Sequence, residues 1–200
     1  MPKSARERMV FSAAQLVRTR GVGATGMRDV VAHAEAPRGS LQHYFPGGKE
    51  QLVGEAIEWT GSYAARRVGR VAAGLADPTP GALFAAMVGQ WRDEFTATGF
   101  EAGCPLVATV ADAAATSEAL REIVSKAFAG WQRPVAETLE QMGVPPARSQ
   151  SLAILMISTL EGAIVLARAH LDLTSLDAVV AELRPLLDGA VDRRRRRSAS

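Results

Sequence analysis

The stretch that decides the fold runs from Thr25 to Glu50 and reads TGMRDVVAHAEAPRGSLQHYFPGGKE. Its apolar spacing predicts a short helix over about 27–34, for which Thr25 is the expected N-cap. Pro37 suits the first turn of a second helix that reaches about Tyr44, and a glycine break then precedes a third. Two short helices joined by a tight turn, the second carrying polar side chains, are typical of a helix-turn-helix that enters the DNA major groove.

The rest of the chain also shows helical periodicity and no useful strand-like alternation. Ser4 and Glu7 form a capping-box pattern for a first helix that ends at Gly21. Further helices are expected over about 49–75, 82–97, 105–114, 120–139, 147–171 and 176–187. The predicted fold is therefore all-α, with an N-terminal three-helix DNA-binding head and a larger helical body. We place the head at residues 1–48, the effector-binding and dimerisation body at 49–192, and a disordered arginine-rich tail at 193–200.

Charge and composition narrow the class of protein. Residues 1–70 hold 11 Lys and Arg against 6 Asp and Glu, whereas residues 71–192 hold 7 against 15. A basic head on an acidic body indicates that polyanion binding is confined to the first third. A single cysteine, Cys104, excludes an internal disulfide and fits a reducing cytoplasm, and we expect no secretory signal. Polar residues interrupt the most apolar run, 152–169, which favours a buried helix of a soluble protein over a membrane span.

Several of these residues resemble a known family. Arg8, the Ala13-Ala14 pair, Gly21, Thr25, the segment DVVAHAEAPRGSLQHYF (29–45) and Lys49 match the N-terminal signature of TetR-type transcriptional regulators. Two later segments, GCPLVATV at 103–110 and EGAIVLARA at 161–169, resemble the LmrA/YxaF-like subgroup. The resemblance implies a homodimeric repressor in which each subunit carries a DNA-binding head and a body with an inducer pocket. It implies release from double-stranded operator DNA when a small molecule binds, and no cofactor.

The helix after Pro37 is the expected recognition helix, with Leu41 and Phe45 facing inward. Arginine pairs naturally with guanine and glutamine with adenine in the major groove. The resemblance adds Thr25 and Lys49 as phosphate clamps. Tyrosine is usual in the family at the position of Gln42, and serine at that of Pro37, so a different operator is implied. The complete predicted DNA-binding set is Thr25, Arg28, Arg38, Ser40, Gln42, His43, Tyr44 and Lys49.

The body offers candidates for two further sites. Apolar and aromatic residues with a few polar groups are typical of an effector pocket, although such residues are equally suited to core packing. This set is Phe84, Met87, Trp91, Phe95, Cys104, Phe128, Trp131, Met156, Thr159, Glu161 and His170. Small residues and a leucine stripe on the last two helices favour a two-fold dimer interface, the alternative being that both helices complete the subunit's own core. This second set is Gly162, Ala163, Leu166, Leu176, Val180, Leu183 and Leu187.

Other functional classes have weaker support in the sequence. No nucleophile motif, phosphate-binding loop, paired catalytic carboxylates or closely spaced metal ligands accompany Cys104 and His170, so neither an enzyme nor a metal site is expected. Cys104 precedes Pro105 at a helix start, which keeps a redox-sensing regulator open. A non-specific DNA-binding protein that uses the tail Arg193–Arg197 also stays open, beside the alternative that this charge run is only a solvated tail.

Overall fold

A computed structural model describes residues 4–37 and 39–192 of the chain. Throughout these residues the regular structure is helical and no strand occurs, so the all-α prediction is confirmed. The helices of this part are α1 (Ala5–Arg20), α2 (Met27–His33), α3 (Ser40–Tyr44), α4 (Gly48–Ala73), α5 (Pro80–Thr98), α6 (Pro105–Ala113), α7 (Glu118–Gln141), α8 (Pro146–His170) and α9 (Thr174–Asp188). Arg38 and the tail 193–200, both candidates for DNA contact, lie outside the described residues.

The described residues group into two compact units. The first takes those within 1–63 and 102–129, and the second those within 64–101 and 130–200. The first unit therefore holds α1 to α3, the beginning of α4, α6 and the beginning of α7. The first unit contains the predicted head, residues 1–48, but also residues 102–129 from the predicted body. The units therefore do not coincide with the predicted domains, and the boundary at residue 48 stays a prediction.

The first unit is built on α1. Its N-terminus carries the predicted capping box: Ser4 Oγ accepts from the Glu7 N–H at 3.2 Å, and Glu7 Oε2 accepts from the Ser4 N–H at 2.8 Å. The predicted apolar face of α1 packs against α2 and the start of α4, as its spacing requires. The buried residues of this cluster are Met9, Val10, Ala13, Ala14, Leu16, Val30, Val31, Ala34, Phe45, Leu52 and Ala56.

Two local predictions in the helix-turn-helix segment are wrong. The N-cap of α2 is Gly26, not Thr25, because the Thr25 hydroxyl turns back and donates to the Gly21 carbonyl at 2.7 Å. Pro37 does not lie in the first turn of α3, which begins at Ser40. The Pro37 carbonyl instead accepts from the Ser40 N–H at 3.0 Å, so this turn is completed before the helix begins.

In the second unit α9 packs against α5 and α8. Leu176 and Leu187 on α9 are fully buried, and Asp188 Oδ1 accepts from the Gly81 N–H at 2.8 Å. Part of the apolar stripe of α9 therefore has a partner face within the subunit, which agrees with the alternative that the last two helices complete the subunit's own core. An amphipathic stripe identifies the inward face of a helix, but the partner face is set by tertiary packing.

One helix in the described part of the chain, α8, is long and apolar enough to cross a membrane by length and composition alone. Half of its most apolar window is buried inside the protein, and Glu161 lies near its middle. A core helix of a soluble protein meets the same criteria, and these features agree with that interpretation of the 152–169 run.

Candidate nucleic-acid interface

The predicted recognition helix, α3, has five residues and none of them is fully buried, so its attachment to the head rests largely on the residue that follows its C-terminus. That residue, Phe45, is completely buried, and its N–H donates to the Leu41 carbonyl at 2.8 Å. Leu41 and Tyr44 pack against the head core as partly buried side chains. The inward orientation predicted for Leu41 and Phe45 is thus confirmed, and the opposite face of α3 is left to solvent.

Gln42 and His43 are the exposed residues of α3. Ser40 is half-buried, and its hydroxyl donates to the Pro37 carbonyl at 2.6 Å. Tyr44 is half-buried as well, with its ring edge-on to the His43 ring at 5.1 Å between centroids. Gln42 and His43 are therefore the predicted base-contacting side chains that protrude from the head, whereas Ser40 and Tyr44 also take part in its local structure.

Lys49 lies in the first turn of α4, and its Nζ donates to the Gly23 carbonyl at 3.1 Å. An ammonium at a helix N-terminus, beside free backbone N–H groups, can bind a phosphate. Arg28, in the first turn of α2, is exposed, whereas Lys49 is half-buried. Thr25 is buried and its hydroxyl is already used within the turn, an arrangement that does not favour its predicted phosphate contact.

The sequence analysis predicted no structural role for Arg8, although its side chain joins α1 to the C-terminus of α2. Its Nε donates to the Ala34 carbonyl at 3.0 Å and its Nη2 to the Glu35 carbonyl at 3.4 Å. Glu35 has a φ of 48°, in the left-handed region that commonly ends helices. Arg8 thus satisfies carbonyl groups at the C-terminus of α2, and only the fold brings these residues together from 26 positions apart.

A second arginine of α1 makes a comparable contact. Arg18 Nε donates to the Gly103 carbonyl at 3.2 Å, and the Gly103 N–H donates to the Arg18 carbonyl at 2.8 Å. Cys104 follows as the N-cap of α6 and is 7% exposed. Such burial disfavours the accessible thiolate that redox sensing requires.

The predicted effector residues are mostly interior. In the second unit the Phe95 ring lies 5.8 Å from that of Trp91 and 5.0 Å from that of Phe100, forming an aromatic cluster. The buried members of the predicted set are Phe84, Met87, Phe95, Cys104, Trp131, Met156 and Glu161, and the half-buried ones are Trp91, Phe128 and Thr159. His170 is exposed at the end of α8 and does not join this interior set. Burial agrees with core packing, and effector binding by these residues stays a prediction.

The predicted dimer residues divide between two environments. Gly162 and Leu166 on α8 are exposed, and Val180 and Leu183 on α9 are half-buried. The remaining three, Ala163, Leu176 and Leu187, are buried within the subunit, which agrees with the alternative that the last two helices complete the subunit's own core.

Comparisons with known proteins cover nearly the whole chain. A family model described as bacterial regulatory proteins of the tetR family matches residues 12–56, and one described as the C-terminal domain of LmrA/YxaF-like transcriptional regulators matches residues 80–182. An HTH-type transcriptional regulator of Mycobacterium tuberculosis is 42% identical over 187 residues, which cover 91% of this chain and 93% of the relative. The HTH-type transcriptional regulator YxaF of Bacillus subtilis is 31% identical over 182 residues, which cover 91% of this chain and 94% of YxaF. A TetR transcriptional regulator from Legionella pneumophila, known from a crystal structure, aligns with a TM-score of 0.77 over 95% of this chain and 98% of that chain, at 21% identity.

Proposed function

Because this chain belongs to the TetR family of bacterial transcriptional regulators, we propose that it is a homodimeric repressor that binds a near-palindromic operator in the cytoplasm. In this proposal a small apolar or aromatic effector releases the repressor from the DNA. The family resemblance found in the sequence motifs is confirmed, and with it the role in transcription regulation through a DNA-binding helix-turn-helix. The family consists of regulators, and we propose no catalytic activity.

The observation that carries the operator proposal is the exposure of Gln42 and His43 on a helix that Phe45 fixes to the head. A glutamine amide can pair with N6 and N7 of adenine, and one good pair contributes about 1–3 kcal/mol of discrimination between bases. We assign base selection to Gln42 and His43, with Arg38 added from the sequence. Lys49 and Arg28 then contact phosphates, which set position and affinity but carry no sequence preference.

Dimerisation is supported by an apolar face of α8 that the subunit leaves exposed. Ile154 and Val165 are 44% and 49% exposed, and Leu155 and Leu166 are 37% and 50% exposed. At the rotation of an α-helix these four side chains and Gly162 lie within an arc of roughly 120°. Exposed apolar faces of this kind mark protein interfaces, and a two-fold interface is self-complementary. We assign this face to a second copy of the chain, which would bring two α3 helices to half-sites about 34 Å apart.

The test of operator binding is fluorescence anisotropy on duplexes tiled across the DNA that flanks the chain's own gene, with a scrambled duplex for comparison. Tight binding to one near-palindromic tile supports the proposal. Gln42→Ala should change the preference among tiles, while Lys49→Ala should weaken all duplexes alike and lower the salt slope by about one unit. If binding is equal on every tile and is lost when residues 193–200 are removed, the non-specific DNA-binding alternative is correct instead.

The test of dimerisation is sedimentation velocity of Leu166→Glu. A carboxylate on the exposed apolar face of α8 should prevent association and thereby abolish tight operator binding. Val110→Glu is the matched control, because Val110 is 46% exposed but lies on α6. If Leu166→Glu sediments like the parent protein, α8 does not form the interface.

Effector binding is tested by screening small aromatic and apolar compounds for release of the operator probe. Intrinsic fluorescence then reports where a hit binds, because Trp91 and Trp131 belong to the second unit and Trp59 to the first. A compound bound among the predicted effector residues should lose its effect on fluorescence in Trp91→Phe or Trp131→Phe but keep it in Trp59→Phe. Retention of the effect in both second-unit variants would remove those residues from the predicted pocket.

A further inference from the structure

We propose that the connection from α6 to α7 positions Lys49 for the DNA backbone, with Asp112 and Ser117 as the positioning residues. This inference rests on the phosphate contact of Lys49 proposed above. It assigns a task in DNA binding to two residues that lie more than sixty positions beyond Lys49 in the chain. All of the contacts involved lie within the first unit.

The first contact fixes the hydrogen-bond partner of Lys49. The Gly23 carbonyl accepts from Lys49 Nζ at 3.1 Å, while the N–H of the same residue donates to Asp112 Oδ2 at 3.4 Å. The carboxylate also lies against the neighbouring turn, since a Cβ added at Gly21 would be 2.2 Å from Asp112 Oδ2. Gly23 is thus held by Asp112 on one side and by Lys49 on the other.

The second contact fixes the helix that carries Lys49. Ser117 Oγ donates to Glu50 Oε1 at 2.5 Å and accepts from the Leu120 N–H at 3.1 Å, so one hydroxyl joins the start of α4 to the start of α7. Glu50 is the residue after Lys49 and lies in the first turn of α4, where the helix dipole favours a carboxylate. The backbone of Lys49 is therefore held through its neighbour.

The location of Asp112 supports a task outside its own helix. It lies in the last turn of α6, where the helix dipole disfavours a negative charge. Residues that break a local preference often serve a site elsewhere in the structure. Here the Asp112 carboxylate accepts a hydrogen bond from the Gly23 N–H, which belongs to the segment between α1 and α2 and partly compensates the unfavourable helix dipole.

The consequence for binding is pre-organisation. A lysine has a flexible four-carbon stem and loses rotamer freedom when it binds a phosphate. If the first turn of α4 and the Gly23 carbonyl are both held by the α6–α7 connection, the ammonium is confined beside the backbone before DNA arrives. Confinement in advance reduces the entropy lost on binding, which raises affinity without adding a contact to DNA.

The test is a double-mutant cycle between Asp112→Ala and Lys49→Ala, read by anisotropy on a scrambled duplex, because a phosphate contact is shared by all sequences. We expect Asp112→Ala to weaken DNA binding about threefold, which is less than the loss expected from Lys49→Ala, because the phosphate contact itself remains. In the Lys49→Ala background the same substitution should have almost no effect. Ser117→Ala should behave in the same way. Asp112→Asn keeps an acceptor for the Gly23 N–H and should restore most of the affinity.

Two controls separate positioning from general damage. Val110→Ala changes another exposed residue of α6 and should leave binding unchanged. The thermal midpoint of each variant shows whether it is folded at the assay temperature, and Ser117→Ala with Lys49→Ala provides the cycle if Asp112→Ala does not fold. Equal losses from Asp112→Ala with and without Lys49 would overturn the positioning role alone. If Lys49→Ala changes neither affinity nor salt slope, the proposed phosphate contact itself fails, and the positioning role fails with it.

Discussion

Phe45 is the fully buried residue that follows α3, the proposed recognition helix, and Phe45→Ala tests whether this residue anchors α3 to the head. The ring is completely buried in the head core. Replacing a buried phenylalanine by alanine costs about 3–5 kcal/mol through lost burial and the cavity that remains. The Arg6 guanidinium lies 5.4 Å from the ring centroid, and losing this cation–π contact adds about 0.5–1 kcal/mol. Arg6 keeps its ion pair with Glu55 at 2.6 Å, so the cavity dominates.

The expected effect can be measured by both unfolding and DNA binding. For a chain of this size, a loss of 3–5 kcal/mol lowers the melting midpoint by roughly 6–20 °C, which calorimetry or circular dichroism resolves easily. Operator affinity should fall even at temperatures where the protein is folded. An isolated helix below about 12 residues is marginal in water, and five-residue α3 loses its one fully buried anchor.

Phe11→Ala is the matched control in the same unit. Phe11 is half-buried, with its ring edge-on to that of Trp59 at 5.4 Å, and lies on α1. Its replacement should lower the midpoint less and leave operator affinity unchanged at low temperature. The anchoring role of Phe45 is refuted if Phe45→Ala lowers the midpoint by less than about 3 °C. It is also refuted if Phe11→Ala weakens operator binding as much as Phe45→Ala does.

Three further predictions concern the packing and capping of helices away from α3, and a fourth concerns the buried thiol. Gly61→Ala should destabilise by about 1–3 kcal/mol through overpacking, because the added Cβ would lie 2.8 Å from Ala127 Cβ. Gly69→Ala on the same helix has open space and should stabilise by about 0.5–1 kcal/mol, so urea titrations that give both variants the same sign would contradict this. Ser4→Ala removes the capping box and should cost about 1 kcal/mol in the same titration, and an unchanged midpoint would show that the cap contributes nothing. After treatment with oxidant, Cys104→Ser should bind the operator as tightly as the parent protein does, because the thiol is buried. If oxidant releases the parent protein from the operator but not Cys104→Ser, redox sensing through this thiol is supported.

Much of the first unit was predictable because its determinants are local. The capping box of α1 depends on side chains three residues apart, and the inward faces of α1 and α2 follow from a period of 3.6 residues. The inward orientation of Leu41 and Phe45 follows from the same spacing. Prediction failed at Thr25, whose hydroxyl donates to the Gly21 carbonyl instead of capping α2, and at Pro37, which lies in the turn before α3 begins at Ser40.

The apolar stripe of α9 shows that helical periodicity identifies an apolar face but not the surface that covers it. Spacing alone correctly identified Leu176 and Leu187 as one apolar face, but it could not say whether a second subunit or the same subunit covers that face. The structure covers it with α5 and α8 and leaves an apolar face of α8 exposed instead. The proposed dimer surface therefore keeps Gly162 and Leu166, which the sequence predicted, and adds Ile154, Leu155 and Val165.

By itself the sequence determined the all-helical class, the helix-turn-helix, the exposure of Gln42 and His43 and the family, because each depends on side chains within a few residues of one another or on a motif. Only the tertiary structure decided which distant groups meet. Arg8 reaches the end of α2, Asp112 reaches Gly23, and Ser117 reaches Glu50. These contacts join residues that are 26 to 89 positions apart, and no short-range pattern records them. Their partners are backbone groups and single polar atoms, which become specific only when packing of the apolar core has fixed where the helices lie.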